Sequence, residues 1–89
     1  MTEKYERYIN DVKTVLLVEK VKIIEEIHNE TNDDFCFKFI IGEFTYDLDV
    51  EDGFALYQLD KYGHRSPIWI PLENDFVGLK RVLDYLKNN

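Results

Sequence analysis

Apolar residues recur with a helical period at the two ends of this chain and with a period of two in its middle. From Tyr5 to Leu16 they fall three or four positions apart (Tyr5, Tyr8, Ile9, Val12, Val15, Leu16), with Glu3, Glu6, Arg7, Asp11 and Lys13 on the rest of the cylinder. This spacing predicts an amphipathic helix, with Thr2 placed to cap it. From Phe35 to Val50 the chain reads Phe-Cys-Phe-Lys-Phe-Ile-Ile-Gly-Glu-Phe-Thr-Tyr-Asp-Leu-Asp-Val, a β-hairpin pattern. Gly42-Glu43 gives a two-residue loop with glycine first, as a type II′ turn prefers because that position needs a positive φ. Counting outward pairs Ile41 with Phe44, Phe39 with Tyr46, Phe37 with Leu48 and Phe35 with Val50, an apolar ladder on one side of the sheet. The helical period returns at Phe76, Leu79, Val82, Leu83 and Leu86, with Lys80, Arg81, Asp84 and Lys87 left wet. Asn74 is the expected cap, and Lys87 suits the C-terminal end of the helix dipole. Gly78 weakens this helix by roughly 1 kcal/mol relative to Ala, which suggests a close approach to the sheet.

The connections are less regular. Val18 to Ile27 reads either as continued helix, through Leu17, Val21, Ile24 and Ile27, or as a strand with Val21, Ile23 and Ile27 on one face. Turn residues from Asn29 to Asp34 favour a strand from about Lys20 to His28. Glu51-Asp52-Gly53 fits a three-residue connection with Gly53 left-handed, returning Phe54 to Leu59 as a strand that pairs Val50 with Phe54 and Leu48 with Leu56. Asp60 to Ser66 reads as a turn. Pro67 to Ile70, with Pro67 and Pro71, can be only an edge strand or an extended connector. The expectation is one α+β domain over residues 1–89: a helix, an antiparallel meander of three to five strands and a helix, both helices on the Phe37, Phe39, Tyr46 and Leu48 face.

Composition narrows the class. At 89 residues there is room for one core, and six Phe, six Tyr and one Trp can fill it. A single cysteine excludes an internal disulfide framework and favours a reducing compartment. With no apolar run of membrane-spanning length and no signal-peptide pattern, a soluble cytoplasmic protein is expected. The net charge of -7 disfavours direct binding to nucleic acid or anionic membrane. Residues 25 to 60 carry eleven acidic groups and one basic, whereas the flanking segments are nearly balanced. That excess reads either as solubility and edge protection or as a surface for a basic partner.

Candidate chemistry is sparse. The hairpin register puts Lys38 opposite Asp47 and Cys36 opposite Asp49 on the second sheet face, with Tyr57 and Leu59 from the next strand. Asp47-Leu-Asp49-Val-Glu51-Asp52-Gly53 echoes a calcium loop, but its glycine falls one place late, Gln58 stands where a bidentate Glu is needed, and the flanks alternate like strands. Cys36, beside an anionic neighbour, is disfavoured as a thiolate, and His28 and His64 lack metal-ligand spacing. No metal, cofactor or catalytic residue is expected. Tyr62, His64, Arg65 and Trp69 form either a contact patch or a core-closing Trp69 with a wet Arg65.

The function these features suggest is non-catalytic protein binding. An acidic sheet surface, with Glu43, Asp47, Asp49, Glu51 and Asp52 for charge and Tyr57 as apolar anchor, would engage a basic partner. That partner could be a nucleic-acid-binding protein, antagonised by a nucleic-acid mimic or an immunity-type inhibitor. The alternatives are a structural or homo-oligomerisation module, with a homodimer through the sheet face or the Pro67–Ile70 edge, or a small enzyme or ligand-binding domain.

Overall fold

The structure is a computed structural model that describes residues 3–29, 31, 34–51, 53–71 and 75–88. Helix α1 spans Glu3–Val18, and its buried face is the predicted stripe: Ile9, Val12 and Leu16 are buried, and Tyr5, Tyr8 and Val15 pack against them. Thr2 lies outside the described residues.

The helix stops without glycine or proline. Lys20 takes a left-handed conformation (φ 61°). Its N–H donates to the Leu17 carbonyl at 3.1 Å, and the Val21 N–H to the Leu16 carbonyl at 3.3 Å. This is a Schellman ending, and the apolar contact that accompanies it falls to Leu16 and Val21, both buried. Strand β1 follows at Lys22–Asn29, so the strand alternative is correct for this segment.

Strands β2 (Asp34–Ile41), β3 (Phe44–Val50), β4 (Phe54–Leu59) and β5 (Arg65–Trp69) complete a five-stranded antiparallel sheet in the order β1-β2-β3-β4-β5. The β2–β3 register is the predicted one at every pair from Ile41–Phe44 to Phe35–Val50. Gly42 has φ 62° and Glu43 does not share the positive φ, the pattern of a type II′ turn. Val50 pairs with Phe54 and Leu48 with Leu56, also as predicted. The turn expected to hold Gly53 left-handed includes Asp52, which lies outside the described residues.

Helix α2 spans Phe76–Lys87. Asp75 caps it: its Oδ1 accepts from the Gly78 N–H at 2.9 Å, one residue later than the expected Asn74, which lies outside the described residues. A Cβ on Gly78 would stand 2.9 Å from Trp69 Cζ2 and 2.7 Å from Asp75 Oδ2, so glycine here permits the close approach to β5.

Both helices cover one sheet face. Leu16 and Val12 of α1 and Leu79 and Leu83 of α2 join Phe37, Phe39, Tyr46, Leu48, Val50, Phe54 and Leu56 in one core. Each such Phe or Leu stabilises the fold by about 1.5–3 kcal/mol through its removal from water. The ladder outruns this cover at the hairpin tip, where Phe44 is exposed. No described helix is long and apolar enough to cross a membrane.

Three expectations are corrected. Ile23 and Ile27 do not share a face: a bulge at Ile24 shifts the register, so Ile23 opposes core-facing Phe39 while Ile27 opposes Cys36 on the outer face. The turn after β4 is shorter than Asp60 to Ser66, because β5 begins at Arg65. Arg65 is not simply wet, as the site below shows.

Candidate functional site

Alternation along β3 sends Tyr46, Leu48 and Val50 into the core and therefore Asp47 and Asp49 to the opposite, helix-free face. On that face Tyr57 of β4 stands opposite Asp47, and the small Ala55 opposite Asp49. Arg65 enters the face from the edge strand. Its register partner is Leu59, and a second bulge, at Ile68, turns Trp69 inward while Arg65 stays outside. Trp69 stacks on Phe54 with centroids 6.1 Å apart, so it closes the core as one of its two sequence readings had it.

The Arg65 guanidinium lies over the Tyr57 ring, 3.8 Å from its centroid, and reaches past it to two carboxylates. Its Nη2 is 2.8 Å from Asp49 Oδ2 and its Nε is 3.5 Å from Asp47 Oδ2. Burial works against the Arg65 charge, but Asp49 and Asp47 outweigh it and hold the proton more firmly than usual. Three strands thus contribute to one clamp: two acids from β3, an aromatic ring from β4 and the cation from β5.

Asp47 is the buried member. Its side chain is 12% exposed, and Oδ1 has no hydrogen-bond partner. Burial pushes its carboxyl above the ordinary range, and the charges of Asp49 and Glu25 add to this while Lys38 and Arg65 oppose it. Lys38, its cross-strand neighbour, places its Nζ 3.7 Å from Glu25.

Cys36 sits opposite Asp49 as expected. Burial, then the charges of Asp47 and Asp49, push the thiol up to about 12, so it stays protonated at neutral pH. A thiol in that state is a poor nucleophile.

Of the six residues singled out in the sequence, the structure brings Asp47, Asp49 and Tyr57 together around Arg65. Asp49, Glu51 and Tyr57 also line an open groove of about 380 Å³, beside the gap left by Ala55. Glu43 is exposed in the hairpin turn, at the other end of β3 from Glu51. Asp52 lies outside the described residues. The calcium-loop echo falls on β3, where Asp47 and Asp49 are engaged by Arg65, and no group of three or more His, Cys, Asp and Glu side chains able to hold a metal ion occurs among the described residues.

His64 belongs to a separate turn built on Asp60. The Asp60 carboxylate accepts from the His64 and Tyr62 N–H groups at 2.9 and 2.8 Å, which hold its carboxyl below the usual range. Gly63, at φ 83°, completes this turn.

Sequence reasoning missed Arg65 as a member of the site. Its partners were legible from the β3 alternation, but its own face depends on where β5 begins and on the Ile68 bulge. Comparison of the chain with protein-family models, with curated proteins and with solved structures gave no significant match to any of them.

Proposed function

We propose that this chain is a small, non-catalytic protein-binding module whose outer sheet face takes a basic segment of another protein, acting as an inhibitor or antagonist of a positively charged surface. The observation that carries this reading is the Arg65 clamp: the face already holds one guanidinium on an aromatic ring between two carboxylates. Asp49, Glu51 and Tyr57 continue from the clamp into an open groove, where a second basic side chain finds the same chemistry. Neither α1 nor α2 covers the face, and residues 25 to 60 supply eleven acids against one basic group.

The roles divide by exposure. Asp49 and Glu51 offer charge and Tyr57 the aromatic wall, while buried Asp47 acts through Arg65, which it helps to position. Glu43, at the hairpin tip, adds to the field that steers a basic partner. Asp52 joins the proposal from its place in the sequence beside Glu51. A basic surface that ordinarily faces nucleic acid is one such target, whereas direct binding to nucleic acid is opposed by the net charge of -7.

Affinity capture from a lysate of the source organism tests this, with the wild-type domain and an Asp49→Asn, Glu51→Gln, Tyr57→Ala variant as baits. The expected result is a basic protein retained by the first bait, released by rising salt and missed by the second. The same proteins on both baits, or none on either, would overturn it. Self-association is the alternative, and one observation bears on it: β5 is a short edge carrying Pro67 and a bulge, while β1 is an eight-residue edge without proline. Sedimentation at two salt concentrations distinguishes the readings, since an acidic self-association tightens with salt and a charge-complementary heterocomplex loosens.

A further inference from the structure

The Arg65 clamp joins parts that the fold holds with unequal firmness. Asp47 and Asp49 stand on β3, the central strand, and Tyr57 on β4, which has a strand on either side. Arg65 is the first residue of β5, an outermost strand of five residues that pairs with β4 alone and carries Pro67 and a bulge. It follows directly on the Asp60 turn, which closes with a bond from the Asp60 N–H to the His64 carbonyl. The Arg65 side chain is 38% exposed, whereas that of Asp47 is 12% exposed. The carboxylates and the ring therefore form the fixed part of the clamp, and the guanidinium is the member held at the margin of the sheet.

The contacts specify what the fixed part takes. The centre of the guanidinium lies 3.8 Å from the Tyr57 centroid, while Nη2 and Nε reach separate carboxylates, at 2.8 Å to Asp49 and 3.5 Å to Asp47. A planar group with several N–H donors fills these three contacts at once, whereas an ammonium is a single point of charge that cannot. Arg65 nonetheless leaves Asp47 Oδ1 buried without a hydrogen bond, so its fit to the clamp is incomplete.

The groove beside the clamp gives a way in. Asp49 and Tyr57 belong to both, and Ala55, opposite Asp49, leaves room next to the ring. A cation entering there meets a carboxylate that Arg65 already engages. Two guanidinium groups on one carboxylate repel each other, so the entering group replaces the resident. We infer that Arg65 is an internal competitor: it occupies the clamp in the free protein and is exchanged for an arginine side chain of the basic partner, which the clamp selects over lysine. This rests on the reading of the outer face as a site for a basic protein, and it names the side chain recognised there. A site available for only part of the time binds more weakly by that fraction, so the resident guanidinium sets the affinity a partner must exceed.

Titration of the ¹⁵N-labelled full chain with two acetylated peptides tests the exchange, one with arginines spaced by glycine and one with lysines in their place. The Arg65 Nε–H signal shows whether Arg65 holds the clamp. The arginine peptide is expected to move that signal to its position in unstructured arginine, and the lysine peptide to bind about tenfold more weakly. Arg65→Ala, with the competitor gone, should bind the arginine peptide about tenfold more tightly than the wild type, and Arg65→Lys, which keeps the charge but fits poorly, more tightly by a smaller factor. Arg81→Gln removes the same charge from exposed α2, on the other side of the sheet, and should change affinity by less than about twofold. Were Arg65→Ala not to fold, the wild-type signal and Arg65→Lys would decide. An Arg65 signal that stays in place while the arginine peptide binds, an Arg65→Ala affinity no higher than that of Arg81→Gln, or equal binding of the lysine peptide would each overturn the exchange and leave the basic-partner reading intact. Binding of neither peptide overturns it as well, and the lysate capture then decides separately whether that reading stands.

Discussion

Two charge clusters in this protein use similar groups to different ends. At the end of α1, Glu19 is buried, its side chain 7% exposed, and both oxygens are satisfied: Lys80 lies 3.3 Å from Oε1, and Lys87 donates to Oε2 at 2.8 Å. Lys87 also donates to the Glu19 carbonyl at 2.9 Å, filling one of the acceptors that a helix end leaves open. Asp84 completes the group, 3.1 Å from Lys80 and 3.6 Å from Lys87. On the outer sheet face the balance differs, with two carboxylates sharing one guanidinium and Asp47 Oδ1 buried without a hydrogen-bond partner. The first cluster is saturated and joins two helices across 68 residues of sequence. The second sets two carboxylates on one guanidinium, and it is the cluster proposed to take a partner's cation. The first cluster serves stability, and recognition is the role proposed for the second.

That division can be broken experimentally. The largest effect is expected from Glu19→Ala, which should lower unfolding free energy by about 1–3 kcal/mol, measured by urea denaturation. The loss stays below that of a broken buried pair because both lysines can turn to water. Asp49→Asn, in the second cluster, should cost less than about 1 kcal/mol in the same experiment. Equal losses from the two substitutions would dissolve the distinction.

A smaller effect of opposite sign is expected next to Glu19. Lys20 holds a left-handed backbone that costs a residue with a Cβ about 1–2 kcal/mol, part of which glycine returns as greater freedom in the unfolded chain. Lys20→Gly should therefore stabilise the fold by about 0.5–1 kcal/mol. A loss of stability would mean that the Lys20 side chain contributes more than the turn does.

Acid titration separates the clusters without any substitution. Hydrogen bonding from Lys80 holds the Asp84 carboxyl below its ordinary value, and burial pushes that of Asp47 above it. Asp84 thus contributes stability that is present above the ordinary carboxylate range and is lost as pH falls through its folded value. For Asp47 the sign is opposite: the native state keeps the proton longer than the unfolded chain, so stability falls as pH rises from the ordinary value to the folded one. Carboxyl ¹³C shifts followed against pH should show Asp84 titrating first from the acid side and Asp47 last. The reverse order would show that Arg65 and Lys38 dominate over burial at Asp47.

Much of the fold was legible in the sequence because each signal was local. The α1 and α2 stripes follow from a helical period, and the β2–β3 register follows from one glycine turn and strict alternation, where a slip of one residue would expose Phe37, Phe39 and Leu48 together. The same alternation placed Asp47, Asp49 and Tyr57 on one face. The α1 terminus was less legible because a lysine, rather than a glycine, takes the left-handed position.

What only the tertiary structure decided lies at the two sheet edges and between the helices. A bulge inserts one residue and reverses every side chain beyond it, and its position is chosen by packing on distant residues: Trp69 turns in against Phe54 and Gly78, which leaves Arg65 outside on Tyr57. The Ile24 bulge likewise divides Ile23 from Ile27. Glu19, Lys80 and Lys87 meet only because α1 and α2 share one sheet face. The sequence by itself determined the elements, the central register and the sign of the charge on the outer face. The partners of each charge were decided by long-range packing, because no local pattern encodes which residues of distant strands and helices will share one surface.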